Sequence, residues 1–64
     1  MEQQKTRVLI VDDNGQVRSA LREIFQGQED VSVVGEACDG TQALCMIEQL
    51  SPDVVLLDVV MPKL

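Results

Sequence analysis

The chain alternates between unbroken apolar runs and stretches in which apolar residues recur at helical spacing. Residues 8–11 and 54–57 are continuous runs rich in β-branched side chains, and such runs are typical of strands that a parallel sheet covers on both faces. After the first run, the spacing i, i+3, i+4, i+7, i+8 predicts an amphipathic helix that ends near Gly27. The apolar positions of this helix are Val17, Ala20, Leu21, Ile24 and Phe25. The residues predicted to face solvent on its other side are Arg18, Arg22 and Glu23.

The middle of the chain predicts a further strand and a second helix. Residues 31–35 are less apolar than the two runs above, which favours the edge of a sheet, and a turn follows at residues 39–40. A helix from Thr41 ends before Ser51 and Pro52, because proline cannot continue a helix. The apolar stripe of this helix is Ala43, Leu44, Ile47 and Leu50. The order βαβαβ predicts right-handed crossovers and a parallel sheet, since an antiparallel hairpin needs no helical connection.

Size and charge narrow the classes of function. A chain of 64 residues holds one domain at most, and its formal net charge of −6 disfavours direct contact with nucleic acid or anionic membranes. The first residues lack the apolar core of a secretory signal, and no run approaches the roughly 20 apolar residues of a membrane helix, which predicts a cytoplasmic protein. Cys38 and Cys45 are interpreted as free thiols, because the chain has no His to complete a zinc site.

Acidic residues follow two of the predicted strands directly. Asp12 and Asp13 come after the first apolar run, and Asp58 comes after the last. Because the carboxyl ends of parallel strands share one edge of a sheet, these carboxylates are expected to converge there. Mg²⁺ would relieve their repulsion, and an Asp oxygen could then attack phosphorus. Each acid taken alone could instead be a helix cap or a solvated turn residue.

Three motifs resemble the response-regulator receiver domain over essentially the whole chain. They are VLIVDD at residues 8–13, DGTQAL at 39–44 and PDVVLLDVVMP at 52–62. The resemblance implies a truncated flavodoxin-like, doubly wound α/β fold with strand order 2-1-3, in which residues 1–64 form a partial receiver domain and the remainder is absent. The amino-acid sequences of the motifs are similar to those in receivers of transcription factors with a helix-turn-helix output domain.

The resemblance also implies a set of site residues and partners. It makes Asp58 the phosphoacceptor, and it makes Asp12, Asp13, Asp58 and the backbone carbonyl of Val60 the ligands of Mg²⁺. The module itself is then not an enzyme. Its partner would be a sensor histidine kinase or a phosphotransfer protein that docks on the first helix, whose apolar residues are nevertheless expected to serve mainly as core. The family's later Ser or Thr, its Lys and its aromatic switch residue have no counterpart here, and Lys63 follows Asp58 too closely to supply that Lys.

Two alternatives stay open. The chain could be an inert receiver fragment, or one that only binds partners through its first helix. In either case strand three would be an exposed apolar edge, and residues 54–60 are expected to drive self-association, aggregation or partial disorder unless another chain covers them. It could also belong to an Asp-nucleophile phosphatase of the haloacid-dehalogenase kind. That class usually places Asp-x-Asp after its first strand, whereas residues 12–15 read DDNG.

Overall fold

The computed structural model describes residues 5–57, which form the predicted βαβαβ unit. Its elements are β1 (Thr6–Val11), α1 (Gly15–Gln26), β2 (Val31–Ala37), α2 (Gly40–Leu50) and β3 (Val54–Leu57). The strands form one parallel sheet in the order β2-β1-β3. The predicted flavodoxin-like strand order 2-1-3 is therefore confirmed. The residues that lie outside this description are 1–4 and 58–64.

Strand β1 is central, and its apolar run is the best buried part of the described chain. Leu9 and Ile10 are both 0% exposed, although successive side chains of a strand point to opposite faces of the sheet. Both faces of β1 must therefore be covered, as its unbroken apolar run predicts. One core cluster gathers Leu9, Val11, Ala37 and Ala43, with Met46 and Val55 packed against it.

The two helices cover opposite faces of the sheet. On β2, the Glu36 side chain meets Arg18 and Arg22 of α1. Its neighbour Gly35 faces α2, where a Cβ would lie 2.9 Å from Cδ1 of Leu50. Adjacent strand residues thus contact different helices, which is the doubly wound arrangement.

Glycine at position 35 also accompanies an irregularity in the pairing of β1 with β2. Val8 pairs with Val33, but the next residue, Leu9, pairs with Gly35. One extra residue of β2 is accommodated at this point, as in a β-bulge. The close approach of the buried Leu9 and of the α2 side chains to Gly35 explains why a residue without Cβ stands there.

Side-chain caps fix where both helices begin. Asn14 caps α1 by accepting hydrogen bonds from the backbone N–H groups of Gln16 and Val17, and Asp39 caps α2 by accepting from Gln42. Helix α2 ends at Ser51, whose φ of 48° is the left-handed conformation common at helix ends.

Helix α1 is less buried than its apolar pattern predicts. None of its residues is fully buried, and Ile24 is 60% exposed. Only Leu21 and Phe25 of the apolar stripe are half-buried, while Val17, Ala20 and Ile24 are exposed. The expectation that these apolar residues serve mainly as core is therefore wrong for the larger part of the stripe.

Strand β3 is likewise only partly covered. Val54 and Leu57 are exposed and the two residues between them are half-buried. The sheet places β3 beside β1 at an outer position. The apolar run of β3, taken alone, predicts that both faces of this strand are covered. They are not, because β1 occupies the central position of the sheet.

Candidate functional site

Strand register brings the acidic pair to the edge of the sheet formed by the carboxyl ends of the strands. The last residue of β1, Val11, pairs with Ala37 on one side and with Leu57 on the other. The next backbone N–H, that of Asp12, donates to the carbonyl oxygen of Ala37 at 3.1 Å. Asp12 therefore continues the central strand by one hydrogen bond, at the edge where ligands bind in open parallel sheets.

Two of the predicted site residues fall outside the described structure. Asp58 follows Leu57 directly in the sequence, and Val60 follows two residues later. Both belong to the segment 58–64 that the structure leaves undescribed. Their roles as phosphoacceptor and as metal ligands therefore stay predictions.

The two aspartates of the pair have different environments. Asp12 is 5% exposed and is the buried polar residue of the described chain, whereas Asp13 is exposed. One carboxylate oxygen of Asp12, Oδ1, accepts a hydrogen bond of 2.9 Å from the backbone N–H of Asn14. That bond orients the Asp12 side chain across the turn between β1 and α1.

Neither aspartate is the cap of α1. The Oδ1 atom of Asn14 accepts from the backbone N–H of Gln16 at 2.8 Å and from that of Val17 at 3.3 Å. The cap of α1 is therefore Asn14, and the first turn of the helix does not need either aspartate as a cap. The pair still lies next to the N-terminus of that helix, whose dipole favours negative charge.

Arg18 is a residue of this site that sequence reasoning assigned to solvent. Its side chain is 22% exposed, its Nη1 donates to the backbone carbonyl of Asp12 at 2.6 Å, and its Nε lies 3.4 Å from Oε1 of Glu36. Arg22 donates to the other carboxylate oxygen of Glu36. The prediction that Arg18 faces solvent is wrong, because helical spacing cannot reveal a carboxylate presented by a neighbouring strand.

The donor chemistry of the pair fits Mg²⁺. Carboxylate oxygens are the ligands that this ion prefers, and it usually takes one or two of them together with water or phosphate oxygens. Within residues 5–57, no three His, Cys, Asp or Glu side chains gather into a metal-binding group. Asp12 and Asp13 are the predicted side-chain ligands that lie within the described residues, and the third predicted carboxylate, that of Asp58, lies outside them.

The apolar surroundings of Asp12 would limit its contact with water. It borders a hollow of about 300 Å³ between β1, β3 and α1, whose other lining residues are apolar. The lining side chains besides Asp12 are those of Val11, Val17, Leu21, Leu56 and Leu57. Electrostatic attraction between a carboxylate and a cation is stronger beside such surfaces than in bulk water.

The remaining sequence predictions concern the thiols and the membrane. Cys38 and Cys45 are free and exposed, which confirms the interpretation of both as free thiols. In the part of the chain that the structure describes, neither helix has the length and apolar character needed to cross a membrane.

The known proteins that this chain resembles include transcriptional regulators and methylesterases. The family model described as response regulator receiver domain matches residues 8–64. A transcriptional regulatory protein of Bacillus subtilis (strain 168), YhcZ, is 47% identical over 58 residues, which are 91% of this chain and 27% of YhcZ. A protein-glutamate methylesterase/protein-glutamine glutaminase of Thiobacillus denitrificans is 50% identical over 60 residues, which are 94% of this chain and 17% of that protein.

A solved structure agrees in fold as well as in sequence. The response regulator domain of Thermotoga maritima CheB superimposes with a TM-score of 0.88 at 43% identity, covering 95% of this chain and 46% of that one. The chain thus spans under a third of the two curated relatives and under half of the solved domain. Motifs, strand order and relatives agree, and the chain belongs to the response regulator receiver domain family.

Proposed function

We propose that this chain is the phosphoacceptor module of a two-component response regulator. In this proposal Asp58 takes a phosphoryl group from a histidine kinase, and Mg²⁺ is held by Asp12, Asp13, Asp58 and the carbonyl of Val60. The observation that carries it is the register: Val11 lies opposite Leu57, so that the acidic pair and Asp58 each follow neighbouring parallel strands in the sequence. Neighbouring parallel strands that end at the same register favour convergence of the residues that follow them, here the acidic pair and Asp58.

The proposed reaction is a transfer between two side chains. A carboxylate oxygen of Asp58 attacks the phosphorus of a kinase phosphohistidine and forms an acyl phosphate. The bond between phosphorus and the imidazole nitrogen breaks, and the nitrogen keeps the electron pair. Bound Mg²⁺ would supply charge neutralisation on the oxygens of the transferring group.

The residues of the described chain would contribute position and charge. Asp12 is held by its N–H to Ala37 and by its Oδ1 to Asn14, so that its carboxylate cannot turn freely. The N-terminus of α1 adds a fixed partial positive charge beside the site. A preorganised arrangement of this kind stabilises transferring charge without rearranging during the reaction.

Incubation of the chain with Mg²⁺ and acetyl phosphate tests the proposal. Mass spectrometry should detect one added phosphoryl group per chain, formed only when Mg²⁺ is present. A folded chain that gains no phosphoryl group under these conditions contradicts the proposal.

Helix α1 is the proposed docking surface for the kinase or a phosphotransfer protein. Three residues of its apolar stripe are exposed, and Ile24 is 60% exposed, which supports a role beyond core packing. An open surface next to this stripe runs along Asn14, Ser19, Arg22 and Gln26.

The module would act in the cytoplasm, on a transcriptional output carried by another part of a longer protein, as the name of the Bacillus relative suggests.

We also propose that the chain self-associates through the apolar outer strand β3. Beside the outer strand, a groove of about 380 Å³ lies between α2 and β3, and Leu44 on its border is 68% exposed. Apolar outer strands promote pairing between chains. The net charge of −6 opposes such pairing, so added salt should favour it.

Sedimentation velocity at rising chain concentration checks this expectation. We expect a monomer that converts to a dimer as concentration and salt increase, and we expect Val54→Lys to suppress the dimer, because an edge lysine blocks strand pairing. Ile24→Lys, the same kind of change on exposed α1, serves as control. A chain that stays monomeric throughout, or a dimer that only Ile24→Lys disrupts, excludes pairing at β3.

A further inference from the structure

The backbone between the two aspartates is held by a residue of α1. Nη1 of Arg18 donates to the carbonyl oxygen of Asp12 at 2.6 Å. That carbonyl belongs to the planar peptide unit that joins Asp12 to Asp13. Fixing the plane of this unit fixes the direction in which the chain carries the second aspartate.

Arg18 is itself anchored from β2. Its Nε lies 3.4 Å from Oε1 of Glu36, and the two side chains are each 22% exposed. A guanidinium group has a rigid planar set of donors, so that it can contact the carbonyl and the carboxylate at the same time. The contact therefore ties three segments together: the turn after β1, helix α1 and strand β2.

A positive charge this close to a cation site would be unfavourable unless it were neutralised. Glu36 supplies a carboxylate to Arg18 and also accepts from Arg22. Arg22 is 51% exposed and no hydrogen bond from it to the acidic turn is found among residues 5–57. The pair of Arg18 and Glu36 can thus hold the turn while adding little net charge to it.

We propose that Arg18, held by Glu36, is a positioning residue that presents Asp12 and Asp13 to Mg²⁺. The presence of Mg²⁺ in this inference rests on the proposed function, whereas the contacts by which Arg18 holds the turn do not depend on it. Removal of the guanidinium group should free the peptide unit between the aspartates and lower the affinity for Mg²⁺ by about tenfold, the lower end of the range for residues that orient metal ligands. A residue that acted only through its charge would have the opposite effect, because its removal would raise the affinity for a cation.

Two readouts on the 64-residue chain test the proposal. In Arg18→Met we expect weaker Mg²⁺ binding, followed by NMR shifts of the Asp13 and Asn14 amides. Without any metal, we also expect faster hydrogen exchange of the Asn14 amide, which donates to Asp12, while the Ile10 amide in β1 keeps its rate. Arg18→Lys should restore part of the affinity, and Arg22→Met, which disturbs only the outer partner of Glu36, should leave both readouts unchanged.

The outcomes separate the proposal from its alternatives. Higher Mg²⁺ affinity in Arg18→Met, or unchanged affinity and unchanged Asn14 exchange with only a lower free energy of unfolding, overturns the positioning role. If the unaltered chain binds no Mg²⁺, the proposed function fails, and the exchange of the Asn14 amide still decides whether Arg18 holds the turn. If Arg18→Met does not fold, Glu36→Gln replaces it: the unmasked charge should weaken Mg²⁺ binding most at low salt, and equal binding at all salt concentrations overturns the anchoring by Glu36.

Discussion

Asp58→Asn should abolish the phosphoryl adduct that acetyl phosphate forms on the chain. An amide oxygen carries no full negative charge and is a poor nucleophile, so the step in which the side chain attacks phosphorus cannot proceed. The change keeps the size of the side chain and removes one unit of charge. Intact-mass spectrometry after incubation with Mg²⁺ measures the loss directly.

The matched control for this prediction is Asp53→Asn. Asp53 lies just before β3, whereas Asp58 follows Leu57 in the sequence, and Oδ2 of Asp53 accepts the backbone N–H of Arg7 at 2.9 Å. An Asn side chain can keep that hydrogen bond, so the variant should fold and gain the phosphoryl group normally. Persistence of the adduct in Asp58→Asn, or its loss in Asp53→Asn alone, would assign the acceptor elsewhere.

Leu9→Ala should unfold most of the chain. Leu9 is 0% exposed at the centre of the core cluster, and truncating a buried Leu to Ala costs about 2–5 kcal/mol. A core of this size rarely supplies more than about 3–5 kcal/mol of net stability. The substitution therefore removes most or all of the free energy that favours the folded chain.

Urea denaturation followed by circular dichroism measures this effect. Leu44→Ala is the control, because it deletes the same atoms from a side chain that is 68% exposed; such surface changes usually stay within about 0.5 kcal/mol. If Leu9→Ala and Leu44→Ala lowered the free energy of unfolding equally, β1 would not be the centre of the fold.

The parts of the fold that the sequence predicts are those with a strong local signal. The run at residues 8–11 has no polar interruption, and the structure buries all four of its residues in the central strand. The parallel direction of the strands follows from the helical crossovers, which an antiparallel hairpin does not need. The strand order 2-1-3 was expected only from the resemblance to the receiver family, and the structure shows it. The bounds of β2 are less accurate: the strand continues to Ala37, because its pairing with β1 holds Glu36 and Ala37 in extended conformation.

Features that depend on contacts between distant segments could not be predicted from the sequence. The register shift beside Gly35 and the close approach of Leu9 and Leu50 to this glycine both involve distant segments, and no pattern within residues 31–35 indicates them. The exposure of Ile24 follows from how much of α1 the sheet can cover, which helical spacing does not specify.

At the candidate site, the acidic pair was predictable and its supporting contacts were not. Asp12 and Asp13 follow a strong strand signal directly, so their place at the end of β1 could be derived from the sequence. The hydrogen bond from Arg18, by contrast, goes to the backbone carbonyl group of Asp12. Because every residue has such a group, the amino-acid sequence does not indicate which one accepts this bond. Asp58 remains a prediction from the motif it shares with the family and from its place after β3.

The central claim is that the turn after β1 and the segment after β3 hold one divalent ion between them. Mn²⁺ takes the same oxygen ligands as Mg²⁺, and as a paramagnetic ion it broadens the NMR signals of nearby amides. We expect the amides of residues 12–14 and 58–60 to broaden together at the same Mn²⁺ concentration, and to recover together when Mg²⁺ is added, while those of Thr6 and Asp53 at the opposite end of the sheet stay sharp. Broadening confined to one of the two segments would contradict a shared ion and, with it, the proposed phosphoacceptor site.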